Sequence, residues 1–103
     1  MKIIPEPISF EWDSGNITKN PNKHHVSNQE AEEIFFNQPF VTVEDKNHSL
    51  KETRFQSLGR TNNDRKLFLV FTIRLNKIRI ISVRDMNKKE VKIYEKIKTN
   101  SQI

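Results

Sequence analysis

The sequence has no cysteine, which excludes a disulfide framework, a thiol nucleophile and cysteine-ligated zinc together. It has only two glycines in 103 residues. A phosphate-cradling P-loop or a dinucleotide fingerprint needs more than that at fixed spacing. No Gly-x-Ser-x-Gly elbow occurs. No apolar run approaches the roughly 18 residues of a membrane span, and Met1-Lys-Ile-Ile-Pro5 is too short and too quickly broken for a signal peptide. The expectation is a cytoplasmic protein without membrane contact. The chain spans residues 1–103 as one domain with one core, since the length does not support two.

What is present is positive charge, a formal net +5. That excess favours anionic partners, either nucleic acid or an acidic protein. A basic surface kept for solubility would give the same number.

The apolar pattern gives an ordered set of elements. Ile8–Trp12 alternates as a half-buried strand does. Residues 16–24 predict a short or broken helix, because Pro21 lies inside it. Ser27 and Glu30 form a capping box for a helix over Asn28–Phe36, with Ala31, Ile34 and Phe35 on its inner face. Strands are expected at Phe40–Val43 and at Thr53–Leu58, the latter ending at Gly59, and Arg60–Lys66 reads as a mobile hydrophilic loop. A hairpin of Leu67–Ile73 and Ile78–Val83 follows. A last helix starts at Asn87, with Glu90 as its third residue, and packs through Val91, Tyr94 and Ile97. The ends, 1–6 and 99–103, are expected to fray. Sequential strands with short connections imply an α+β fold: a small antiparallel sheet with two N-terminal helices and a C-terminal helix.

Pairing places the charges. Ile73 opposite Ile78 sets Thr72 across from Arg79, Val70 across from Ile81 and Phe68 across from Val83. Gly59 opposite Leu67 sets Arg54 across from Thr72. One face then carries Arg54, Thr72 and Arg79 in a row with Arg74 and Lys77 beyond, and the other carries Phe55, Leu67, Leu69, Phe71, Ile73, Ile78 and Ile80. A one-residue slip would bury the arginines, so the register is fixed by the core. Like charges on adjacent strands repel unless an anion lies between them, and guanidinium forks suit a phosphate. The competing reading is that Glu52, Glu44 or Asp45 neutralises the arginines and nothing binds. Arg84 lies five residues from Arg79, so a regular strand turns it to the other face; it serves the row only if the strand ends near Ser82.

The histidines give no metal spacing. His24 and His25 are adjacent and diverge on a helix, and His48 is alone in a loop. No metal and no cofactor is expected. His24 or Lys23 is a candidate acid or base for a bound anion. Phe35-Phe36 and Phe68–Phe71 are read as core rather than as base-stacking platforms. The lysines of the last helix offer an approach surface for RNA or, more simply, a solvated helix face.

An ordered series of residues resembles the BrnT family of toxins from type II toxin–antitoxin systems. It comprises Phe10-Glu-Trp-Asp13, Lys19-Asn20, Lys23-His24, Val26-Ser27, Glu30-Ala31, Pro39, Glu52-Thr-Arg54, Gly59, Thr72, Arg79-Ile-Ile-Ser-Val-Arg84, Glu90 and Tyr94. The series runs from residue 10 to residue 94. Three positions depart from the family pattern: His25 for glycine, Val83 for alanine, and Pro21 within the first helix. The resemblance implies a RelE-like fold, a ribonuclease activity that inhibits translation, and neutralisation by a BrnA-type antitoxin. It also implies a toxin–antitoxin heterotetramer that meets DNA only through the antitoxin. On this reading RNA is cleaved by metal-free acid/base chemistry. Arg54 and Arg79 stabilise charge, His24 is the acid or base, and Lys23, Thr72, Arg74 and Arg84 bind substrate. The alternatives are a non-catalytic basic module that binds antitoxin or nucleic acid, and an inert relic of a toxin.

Overall fold

The computed structural model describes residues 4–13, 25–48 and 51–101. The expected helix over 16–24 lies outside these residues, and two α-helices occur among those described, one fewer than the sequence suggested. Helix α1 is Asn28–Glu33, extended by a 3-10 turn at Ile34–Phe36. Its start is the expected capping box: Glu30 N–H donates to Ser27 Oγ at 3.0 Å and Ser27 N–H to Glu30 Oε1 at 3.0 Å. Strand β1 (Val41–Glu44), a 3-10 turn at Lys46–His48, β2 (Arg54–Arg60), β3 (Lys66–Arg74) and β4 (Lys77–Asp85) follow, then helix α2 (Lys88–Ser101).

The strands form one antiparallel sheet in the order β1-β2-β3-β4. The fold is therefore α+β, with helices on both sheet faces. Leu67, Leu69, Phe71, Ile78, Ile80 and Val83 meet Ala31, Ile34 and Phe35 on the core face. Rings reinforce this layer: Phe35 lies 5.3 Å from both Phe10 and Phe71, and Phe55 stacks on Phe71 at 5.2 Å. The core reading of these phenylalanines holds for Phe35 and Phe71, whereas Phe36 is exposed and Phe68 lies on the opposite face.

Gly59 does not end β2. The strand runs through it to Arg60, and a Cβ at Gly59 would come within 2.8 Å of Ile34 Cβ. Glycine is there so that the helical layer can approach the sheet. The β3–β4 turn is a tight two-residue loop with Leu75 at φ 51 and Asn76 at φ 64, the positive-φ pair of a type I′ turn. That turn fixes the register at Ile73↔Ile78 and Thr72↔Arg79 as the sequence implied.

Further along, the pairing departs from expectation. Ile81 is an extra residue opposite the Val70/Phe71 step, so Val70 meets Ser82 and Phe68 meets Arg84. The bulge keeps Val83 in the core and turns Arg84 to the same face as Arg79. The loop after β2 is also tied down rather than loose. Thr61 is buried, its N–H donates to Arg65 O at 2.9 Å, and its hydroxyl accepts from the amides of Asn63 and Arg65.

Among the described residues the N-terminal segment forms one isolated bridge, parallel to β4 at Phe10↔Ile78, through Glu11 N–H to Ile78 O (2.8 Å) and Ile78 N–H to Ser9 O (2.9 Å). It is held from the other side by Trp12 Nε1–H donating to Glu32 Oε2 at 2.6 Å. Helix α2 carries its own capping box between Asn87 and Glu90, at 2.8 and 2.9 Å. Its Tyr94 is fully buried and donates to Pro39 O at 2.6 Å. Desolvation raises the Tyr94 pKa above its ordinary value, so the phenol stays a donor there. No helix among the described residues is long and apolar enough to cross a membrane.

Candidate active site

Three adjacent strands carry the row of charges. Arg54 pairs with Thr72 and Thr72 with Arg79. Two strand spacings separate the arginine backbones by roughly 10 Å. The residue between them, Thr72, is buried and its hydroxyl donates to Thr53 O at 2.7 Å. Thr72 therefore fixes the start of β2, a contact its expected role in substrate binding did not include.

The repulsion of the row is met by carboxylates of the N-terminal segment. Arg79 donates to Asp13 through both terminal nitrogens, at 2.6 and 3.0 Å, and to Glu11 at 3.3 Å. The hydrogen bonds to Asp13, first among the causes, raise the pKa of Arg79 further. Glu11 also lies 3.8 Å from Arg74, whose other partner is Glu52 at 3.2 Å. Of the neutralising residues the sequence offered, Glu52 is one; Glu11 and Asp13, the partners of Arg79, were missed. They alternate along an extended segment as a strand edge requires, but only the bridge to Ile78 aims them at Arg79.

Beside this network lies a cleft of about 470 Å³ lined by Asn47, His48, Lys51, Glu52, Arg54 and Arg74. It opens where β1 leaves the sheet and the β3–β4 turn begins. His48, read from sequence as an isolated loop residue, is part of a pair. Its Nδ1 lies 3.1 and 3.0 Å from the two oxygens of Asp45. Asp45 is nearly buried, and its pKa is lowered first by a hydrogen bond from Gln56 and then by His48. The Asp-x-x-His spacing was the available signal, since the turn at Lys46–His48 brings residues three apart together.

Arg84 goes elsewhere. Although the bulge turns it to the face of the row, it donates to Glu90 at 2.8 and 2.9 Å, and its guanidinium carbon sits 4.2 Å above the Phe68 ring. It fastens α2 to the sheet, at the far end from Arg79. Lys23 and His24 lie outside the described residues. Among the described residues no three His, Asp or Glu side chains are grouped to hold a metal ion.

The chemistry available is therefore that of a cationic cleft, with Arg54, Arg74 and Lys51 on its wall and a carboxylate-oriented imidazole at its rim. Compared with curated proteins, the chain has no significant match. The family of the ribonuclease toxin BrnT, of type II toxin–antitoxin systems, matches residues 12–90. That span holds the whole sheet, the cleft and the cap of α2, and on it the chain belongs to the BrnT family.

Proposed function

We propose that this protein is an endoribonuclease toxin that cleaves RNA without a metal ion, inhibits translation and is neutralised by a BrnA-type antitoxin. The observation that carries the reading is the family match over residues 12–90, to which the cationic cleft adds a site of suitable chemistry. The sheet order and flanking helices are compatible with a RelE-like fold, which belongs to the same proposal. In-line attack by the 2′-hydroxyl crowds negative charge on the phosphorus centre, and fixed cations in a part-buried site lower that barrier. Arg54 is the leading candidate for this role because it lines the cleft. Arg79 is second, since Asp13 and Glu11 compete with any phosphate for its donors. Arg74 binds substrate from the cleft wall. The roles of His24 and Lys23 rest on the sequence alone, since both lie outside the described residues. Assembly into a heterotetramer that reaches DNA through the antitoxin, in the cytoplasm, completes the proposal.

The test uses purified protein and RNA. Arg54→Ala and Arg79→Lys should lose cleavage while retaining the fold, the former by the larger factor. Wild-type rates in both variants would remove the site assignment. The alternative, a non-catalytic binding module, is favoured by the neutralisation of Arg74 and Arg79 by carboxylates. It expects antitoxin binding without RNA cleavage or growth arrest.

A further inference from the structure

The sequence gives His48 no role and Asp45 only that of a counter-ion, yet the two are paired at the rim of the cleft. We infer that His48, oriented by Asp45, is the general base that deprotonates the attacking 2′-hydroxyl of RNA bound in the cleft beside Arg54; this rests on the ribonuclease reading above.

Three observations converge. First, His48 lines the same cleft as Arg54, Arg74 and Lys51, so a phosphate held by those cations has the imidazole at its edge. The volume of about 470 Å³ falls in the range of small-ligand sites and admits a nucleotide unit. Second, both Asp45 oxygens lie within 3.1 Å of Nδ1. That contact assigns the N–H to Nδ1 and leaves Nε2 as the basic nitrogen, the orientation in which a carboxylate serves a catalytic imidazole. Third, Asp45 is anchored. Its N–H donates to Arg54 O at 2.7 Å, and its carbonyl accepts from His48 N–H at 3.2 Å. One backbone contact thus links the residue that orients the base to the residue that holds the phosphate. The charged groups facing His48 are Asp45 on its own turn and Lys51, Glu52, Arg54 and Arg74 across the cleft.

The step balances as follows. The 2′ oxygen forms a bond to phosphorus as the bond from phosphorus to the 5′ oxygen breaks. Nε2 of His48 takes the 2′ proton, water gives one to the leaving 5′ oxygen, and the imidazolium returns its proton to solvent. The products are a 2′,3′-cyclic phosphate and a 5′-hydroxyl. Asp45 touches neither substrate nor product and is a positioning residue.

The experiment measures cleavage of a defined single-stranded RNA by the purified full chain, with His48→Ala, His48→Gln, Asp45→Asn and Arg54→Ala alongside wild type. General-base loss is expected to lower kcat in both His48 variants by about 100-fold or more with little change in KM. Added imidazole is expected to restore part of the His48→Ala rate and none of the Arg54→Ala rate. Asp45→Asn should lower kcat while the circular dichroism spectrum is kept, and imidazole should not rescue it. Wild-type rates in His48→Ala and His48→Gln, with Arg54→Ala inactive, would overturn this inference alone. Absence of cleavage by wild type would overturn the ribonuclease reading and this inference with it.

Discussion

Arg84 and Arg79 lie on the same face of β4 although five positions separate them, because Ile81 bulges out of the ladder between them. The two guanidiniums nevertheless work at opposite ends of that face. Arg79 is held by Asp13 and Glu11 at the edge beside the N-terminal segment, and Arg84 by Glu90 beneath α2. The bulge thus gives one strand two anchoring points, one at the site and one for the C-terminal helix.

The Arg84–Glu90 pair predicts an acid-sensitive stability. Hydrogen bonding to Arg84, the largest cause, lowers the Glu90 pKa below its ordinary 4.5, and the cap at Ser27 does the same for Glu30. A carboxylate with a depressed folded pKa contributes its full stability above the unfolded value and loses it as pH falls through the folded one. The urea midpoint should therefore fall as pH drops from about 5 to about 3. Glu90→Gln should flatten that decline and cost about 1–2 kcal/mol at neutral pH, since it leaves Arg84 without its charged acceptor. A Glu90→Gln profile parallel to that of wild type would contradict the assignment.

Gly59→Ala probes the contact between the helical layer and the sheet. The added methyl would meet Ile34 Cβ at 2.8 Å, and both residues are buried. Overpacking of this kind costs about 1–3 kcal/mol. Chemical denaturation should report a loss in that range, and unchanged stability would show that the layer can slide.

His25 adopts φ 56, the left-handed region that glycine occupies without cost, and its carbonyl accepts from Arg65 Nη1 at 3.0 Å. Left-handed backbone costs a residue with a Cβ roughly 1–2 kcal/mol, while glycine also adds freedom to the unfolded chain. The expected net effect of His25→Gly is a gain of up to about 1 kcal/mol. A lower urea midpoint in that variant would contradict it.

The sequence alone was enough for those parts of the fold that depend on local pattern. Ser27/Glu30 and Asn87/Glu90 announced both helix starts, and the short polar break Arg74–Lys77 suggested a tight hairpin with Ile73 facing Ile78, as found. The bulge escaped because Ile80 and Ile81 are both apolar, so hydrophobic alternation accepts either parity there. The site was half legible for a different reason. Arg54 and Arg79 follow from strand pairing, but the counter-ions of Arg79 are Glu11 and Asp13, more than sixty positions away along the chain. The structural contact of Thr72 was not legible, because its bond to Thr53 O joins residues nineteen apart along the chain. His48 was passed over since a single histidine in a polar loop carries no periodicity; only the turn that folds it onto Asp45 distinguishes it.

The most direct test of the central claim is end-group analysis of RNA incubated with the purified protein in excess chelator. The account predicts cleavage that persists in chelator, leaves 2′,3′-cyclic phosphate and 5′-hydroxyl ends, and disappears in Arg54→Ala. Intact RNA with wild-type protein, or products bearing 5′-phosphates, would contradict it.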